Sequence, residues 1–107
     1  MIAVDPAVSV EQAARDALFE VHDPETDLNL VDLGLIYRVS YRPETRRLEV
    51  LMTLTTPACP AGDVIVEGVQ RRLSLVPEVD DVAVEITFEP HWTPERISSG
   101  GRAFLGW

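Results

Sequence analysis

Cys59 is the residue of this chain with the clearest capacity for chemistry. It lies between Pro57 and Pro60, in a segment too rich in Pro and Gly to continue a strand. A predicted helix begins at Asp63, and the partial positive charge at a helix N-terminus stabilises a thiolate. A lone cysteine is most often a small apolar core residue, but core cysteines tend to sit inside periodic stretches. The spacing leaves both alternatives open, an inert cysteine and a reactive thiolate.

The chemistry open to a Cys59 thiolate is limited by the other catalytic or metal-binding residues that the chain offers. A cysteine hydrolase needs a histidine base, and neither His22 nor His91 stands in a recognised pattern with Cys59. Structural zinc and iron–sulfur clusters are normally held by about four ligands. One cysteine can therefore contribute a ligand to a cluster but cannot enclose one. Any cluster would be shared between subunits, completed by other ligands, or held in transit.

Three further positions carry polar side chains that could have a role. Asp32 lies among apolar neighbours beside Gly34, so a buried carboxylate there would need donors, and the backbone of the Cys59 loop is one candidate source. Asp27 is typical of a solvated loop acid. The pair His91-Trp92 follows a predicted strand, where the indole would plug the end of the core and the imidazole would lie at the surface.

The composition excludes several classes of protein. The chain has 107 residues, with 18 Asp and Glu against nine Arg, no Lys, and a net charge of −9. Nucleic acids and anionic membranes bind basic surfaces, so both are disfavoured as partners. No apolar run approaches the roughly 18 residues that span a bilayer, and the first residues lack the pattern of a secretory signal. We expect one cytoplasmic domain over residues 1–107, without an intrachain disulfide.

Hydrophobic periodicity predicts the elements that must position these residues. A capping box at Ser9 and Gln12 opens the first predicted helix. Period-two alternation predicts three strands, and residues 43–46 form a plausible hairpin turn between the first two. The predicted elements are helix Ser9–Val21, strands Leu35–Tyr41 and Leu48–Thr55, helix Asp63–Leu75 and strand Val82–Glu89.

This order of elements predicts an α+β (mixed α/β) fold. A helical crossover favours a parallel pair of strands, so we expect a small mixed sheet with two helices packed on one face. After the third strand, Thr93 can cap a short helical turn that the glycine-containing segment 98–101 ends. The apolar tail Phe104–Trp107 is expected to dock on the domain.

Four blocks of sequence, taken together, resemble the MIP18 family of small domains. The resemblance covers the chain from about Val10 to Gly106 and implies a mixed α/β fold. It also implies a role in iron–sulfur cluster assembly as a carrier or targeting factor, and not as an enzyme. The blocks are Asp23-Pro-Glu25, Leu30-Val-Asp-Leu-Gly-Leu-Ile-Tyr37, Met52-Thr-Leu-Thr-Thr-Pro-Ala-Cys-Pro60 and Glu89-Pro-His-Trp-Thr-Pro-Glu-Arg-Ile97.

The resemblance also suggests roles for individual residues. The family's reactive cysteine matches Cys59 and its loop acid matches Asp32, while Thr55 and Thr56 would shape the cysteine loop. His91 stands where the family often has a proline, so it either adds a ligand or is neutral. An iron–sulfur cluster or iron would be bound transiently or shared between chains. The partners would be the assembly machinery, client apoproteins and, for sharing, a second copy.

The resemblance leaves several functions open. PaaD-like members carry a cysteine-rich carboxy-terminal extension, and this chain has no second cysteine. A SufT-like accessory factor is therefore favoured over a PaaD-like maturation factor for a multicomponent oxygenase. A metal-free interaction adaptor and a thiol enzyme are the remaining alternatives.

Overall fold

The helices and strands follow one another along the chain in an order close to the predicted one. The computed structural model describes residues 6–56 and 61–106. A 3₁₀ turn at Pro94–Arg96 precedes the last helix. The elements are α1 (Pro6–Leu18), β1 (Ile36–Arg42), β2 (Arg47–Met52), α2 (Gly62–Leu73), β3 (Asp81–Ile86) and α3 (Ser99–Leu105).

The three strands form one mixed sheet in the order β1-β2-β3. β1 runs antiparallel to β2, with Val39 opposite Val50, and the turn at residues 43–46 joins them. β3 runs parallel to β2, with Val84 opposite Val50, because α2 carries the chain back between these strands. The α+β class, the mixed sheet and the order of the first five elements are confirmed.

One face of the sheet carries the core. α1 and α2 cover this face, and the inward side chains of β1 and β2 are buried beneath them. The opposite face is left open to solvent, and arginines and glutamates are prominent on it. No helix among residues 6–56 and 61–106 has the length and apolarity to cross a bilayer. The largest fully buried side chains are Leu18, Leu30, Leu33, Leu35, Leu48, Met52, Ile65 and Leu73.

The predicted start of the first helix is wrong. α1 begins at Pro6, so Ser9 lies inside the helix and does not cap it. Proline suits the first helical position because its fixed φ is helical and its missing N–H would have no partner there. The helix ends at Leu18, three residues before the predicted end, although Val21 is still buried.

The short helical turn after Thr93 ends before residues 98–101, as predicted, but the start of a further helix, α3, at Ser99 was not predicted. The Ser98 side chain caps α3 by accepting the Gly101 N–H at 2.9 Å. A Cβ on Gly101 would lie 2.9 Å from Ile97 Cγ2, so the glycine permits close packing. Thr93, by contrast, makes no side-chain cap to the 3₁₀ turn. In the tail, Phe104 is 61% exposed, whereas Leu105 packs partly against the core.

Candidate functional site

Three loops meet at one end of the sheet, which we call the loop end. β1 begins where β2 ends because the two strands are antiparallel, and β3 ends beside β2 because those strands are parallel. Ile36, Met52 and Ile86 accordingly lie side by side across the sheet. The loop end therefore gathers residues 29–35 before β1, the described part of 53–61 after β2, and residues 87–98 after β3. In α/β sheets, ligands bind at the carboxyl ends of strands.

Asp32 joins two of these loops. One carboxylate oxygen accepts the Asn29 side-chain amide at 2.6 Å, and the other accepts the Ser98 hydroxyl at 2.8 Å. The backbone adds a return contact, because the Ser98 N–H donates to the Asp32 carbonyl oxygen at 2.8 Å. The Asp32 N–H also donates to Asn29 Oδ1 at 2.8 Å. The donors to its carboxylate within the described residues are thus Asn29 and Ser98, and a contact with the Cys59 loop stays a prediction.

Trp92 and Tyr37 hold the third loop against the first loop and the start of β1. The Trp92 indole N–H donates to the Leu33 carbonyl oxygen at 2.6 Å, and the Tyr37 hydroxyl donates to the Pro90 carbonyl oxygen at 2.7 Å. Trp92 is partly buried against the core, as a plug at its end. Both bonds join residues far apart in sequence, so the loop end is closed by tertiary contacts.

Gly34 allows the first loop and the 3₁₀ turn to touch. Its φ is +77°, and a Cβ at this position would lie 2.4 Å from the Arg96 carbonyl oxygen. Arg96 in turn lies over the ring of Tyr37, with 5.0 Å from its guanidinium carbon to the ring centroid. Only glycine combines this left-handed backbone with so close an approach.

The remaining predicted site residues are spread over the second and third loops. Thr55 is half-buried, Thr56 is exposed, and His91 is exposed. Cys59 lies outside the described residues. No group of three or more His, Cys, Asp or Glu within 6–56 and 61–106 is arranged to hold a metal ion. The described residues therefore bring Asp32, Thr55, Thr56 and His91 to the loop end without making a complete ligand set.

Three polar residues of the loop end were not predicted as site residues from the sequence. Asn29 could have been found, because asparagine side chains in loops often accept a hydrogen bond from a nearby backbone N–H, as Asn29 Oδ1 does from the Asp32 N–H. Thr53 is fully buried, with its hydroxyl 3.4 Å from the Leu54 carbonyl oxygen. Ser98 carries no local signal for its role, because its partner Asp32 is 66 residues away.

α2 begins at the loop end and closes the second loop. Ala61 occupies its N-cap position, and its carbonyl oxygen accepts the Ile65 N–H at 2.9 Å. A Cβ on Gly62 would lie 3.0 Å from Leu54 Cδ1, so the helix start packs tightly against the end of β2. The positive end of the α2 dipole thus lies at the loop end.

Comparison with known proteins identifies relatives of the chain. The family described as iron-sulfur cluster assembly protein matches residues 11–86. The chain is 39% identical over 101 residues to the Bacillus subtilis Fe-S protein maturation auxiliary factor YitW, covering 91% of this chain and 98% of that protein. It is 38% identical over 86 residues to the Staphylococcus aureus Fe-S protein maturation auxiliary factor SufT, covering 80% and 97%.

A solved structure has the same fold. The domain of unknown function DUF59 from Bacillus anthracis superposes with a TM-score of 0.89 at 35% sequence identity, covering 94% of each chain. The likeness therefore extends over nearly the whole chain and beyond the residues 11–86 that the family matches.

Proposed function

Because the chain belongs to the iron-sulfur cluster assembly protein family, we propose that it is a SufT-like accessory factor that helps to deliver an iron–sulfur cluster, or iron, to client apoproteins. It acts as a carrier or targeting factor and not as a turnover enzyme. Its partners are the assembly machinery and the clients, and it works in the cytoplasm. This proposal rests first on the family match, which covers residues 11–86.

The cluster or iron is cargo, and Cys59 is the thiolate that contacts it. The observation that carries this assignment is the meeting of three loops at the loop end, which gathers the described parts of three of the four family-like blocks in one place. Thr56 and Ala61, which flank the segment containing Cys59 in sequence, both belong to this end. The positive end of the α2 dipole favours a thiolate there.

The other residues of the loop end support the cysteine loop. Asp32 fixes the first loop to Ser98, so we assign it a positioning role beside the cargo. Thr55 and Thr56 shape the start of the cysteine loop. His91 is exposed and free to serve as an additional ligand. With a single cysteine per chain, the remaining ligands come from a second copy, a client or an external thiol.

The test of the proposed function is the Cys59→Ala variant in cells that lack the native copy. The variant is expected to keep the wild-type circular dichroism spectrum and to lose support of an iron–sulfur enzyme's activity. Ser99→Ala, a change at an exposed residue of α3, is the control that should retain support. Full support from Cys59→Ala would overturn the proposal.

Reconstitution separates cargo binding from a metal-free adaptor. Purified protein is incubated with ferrous iron and sulfide under argon, and a visible absorption band that disappears in Cys59→Ala is expected. No Cys59-dependent band at any protein concentration would favour the adaptor. Measuring the molecular mass with and without metal tests whether two copies share the cargo.

A further inference from the structure

The outer edge of β3 is an unpaired strand edge. The Thr87 N–H donates to the Met52 carbonyl oxygen at 2.9 Å, and the Asp81 N–H donates to the Arg46 carbonyl oxygen at 3.3 Å. Odd-numbered residues of this stretch thus direct their backbone groups toward β2. The backbone N–H and C=O groups of successive strand residues point alternately to the two edges of the strand. Those of Val82, Val84 and Ile86 therefore point away from β2, to the outer edge. No further strand lies beside them within the part of the chain that the structure describes.

The two edges of the sheet are treated differently. On β1, the outward N–H of Tyr41 donates to the Glu11 carboxylate of α1 at 2.8 Å, and a bulge interrupts the strand between Ile36 and Arg38. Both features protect an edge from pairing with another chain. β3 has neither a bulge in its pairing, nor a proline, nor a lysine. Its edge is therefore the one suited to accept a strand.

The β3 edge is acidic. Residues 78–89 contain five carboxylates and no arginine. Asp80 and Asp81 pair with Arg46 and Arg47 at 3.0 and 2.9 Å, whereas Glu85 is exposed and forms no ion pair within the described residues. The side chains that β3 directs to the core face of the sheet are apolar and only partly buried: Val82, Val84 and Ile86. A complementary strand would therefore alternate apolar and basic side chains.

These observations select the occupant. A second copy pairing through the same edge would bring two acidic segments together, with Glu85 of each copy forming no ion pair within the described residues, and like-charge repulsion opposes this. An extended basic segment gains both main-chain hydrogen bonds and opposite-charge pairs. We propose that the outer edge of β3 binds an extended, basic segment of a partner protein by adding it as a fourth strand.

This inference deepens the proposed function by giving the chemistry of a client or assembly partner. β3 ends at the loop end, so a segment docked along it runs alongside the loops assigned to the cargo. The docking itself needs no metal. Binding is therefore measured on metal-free protein, so that its failure leaves the Cys59 assays unaffected.

The probe is a short blocked peptide of alternating Val and Arg, and the control peptide carries Glu in place of each Arg. We expect the Arg peptide to cause saturable shifts of the Val82, Val84 and Ile86 amide signals in ¹⁵N NMR spectra. The affinity should fall as the salt concentration rises. The Glu peptide should cause no shifts. Shifts confined to helices or to β1, or equal binding of both peptides, would overturn the proposal.

Two variants test the mode of binding. Val84→Pro removes an outward N–H without removing a hydrogen bond to β2, so it should abolish binding. Glu85→Arg should weaken binding about ten-fold by reversing a cross-strand charge pair. Glu44→Arg makes the same charge change in the exposed hairpin turn and should alter the affinity by less than about two-fold.

Each outcome of these variants decides the proposal. Unchanged binding by a folded Val84→Pro protein would refute strand addition. If that variant loses its dispersed spectrum, the comparison of Glu85→Arg with Glu44→Arg decides, and equal affinities contradict the proposal. Self-association of the wild-type protein that Glu85→Arg strengthens, detected by analytical ultracentrifugation, would identify a second copy as the occupant instead.

Discussion

Replacing Ser98 by Ala should loosen the loop end, because one hydroxyl makes two of its contacts. Ser98 Oγ donates to the Asp32 carboxylate at 2.8 Å and accepts the Gly101 N–H at 2.9 Å. The first contact joins α3 to the loop before β1, and the second caps α3. Alanine removes both and leaves the partly buried Asp32 carboxylate with one side-chain donor fewer, while the Asn29 amide still donates to it.

The expected destabilisation is about 2 kcal/mol. Loss of a serine N-cap costs about 1 kcal/mol. A hydrogen bond to a charged group contributes about 1.5 kcal/mol, and partial exposure of Asp32 to water reduces this. For a domain of this size, about 2 kcal/mol corresponds to a fall of about 8 °C in Tm.

Urea unfolding followed by circular dichroism measures this loss. Ser99→Ala is the matched control, since it removes the neighbouring hydroxyl, which is exposed and makes no described hydrogen bond. Hydrogen exchange adds a local measure, because the Gly101 amide should lose protection in Ser98→Ala. A free energy of unfolding within about 0.5 kcal/mol of the Ser99→Ala value, with Gly101 still protected, would refute the role assigned to Ser98.

Two other predictions concern backbone geometry and charge. Gly34→Ala should lower the free energy of unfolding by more than about 2 kcal/mol, because φ is +77° and the new Cβ would lie 2.4 Å from the Arg96 carbonyl oxygen. The pKa of Glu49 lies below its usual range. The main cause is the hydrogen bond from Arg42, and the positive charges of Arg42 and Arg47 add to it. Any stabilisation from the Arg42–Glu49 pair is present at a pH above the pKa that Glu49 has in the unfolded chain. It is lost as the pH falls through the lower pKa that Glu49 has in the folded protein. Arg42→Ala should raise the pKa, measured by carboxyl ¹³C NMR.

Both predictions have internal controls. Gly106 also has a positive φ of 79°, but a Cβ there meets no atom of the described residues within 4 Å. Gly106→Ala therefore carries only the backbone cost, and equal losses in the two variants would contradict the steric argument at Gly34. For Glu49, an unchanged pKa in Arg42→Ala would contradict the assignment of Arg42 as the main cause.

The sheet could be predicted because its pattern is local. Alternating residues such as Val39 and Val50 mark a surface with one buried face, and a helix between two strands favours a parallel pair. The helix boundaries were harder. Serine is a common N-cap residue, but Ser9 lies inside α1. The two glycines of α3 likewise suggest a helix end. Packing outweighs these propensities, as the close approach at Gly101 illustrates.

The candidate site divides in the same way. Cys59 could be singled out because its neighbours in sequence define its setting, whereas the partners of Asp32 could not be identified. One carboxylate oxygen accepts from Asn29 within the same loop, but the other accepts from Ser98, 66 residues away. Such a pair has no periodic signature, because it depends on how the third loop returns across the sheet.

The α+β order of elements, the net charge of −9 and the limit of one cysteine ligand per chain can all be read from the sequence. These properties follow from composition and from periodicity over neighbouring residues. Which loops meet at the loop end, and which sheet edge stays open, depends instead on the folded arrangement. The edge of β1 is capped by Glu11, 30 residues from its partner Tyr41, whereas no other strand pairs with the outer edge of β3 within residues 6–56 and 61–106. Contacts over such separations depend on the folded chain path, which no local pattern specifies.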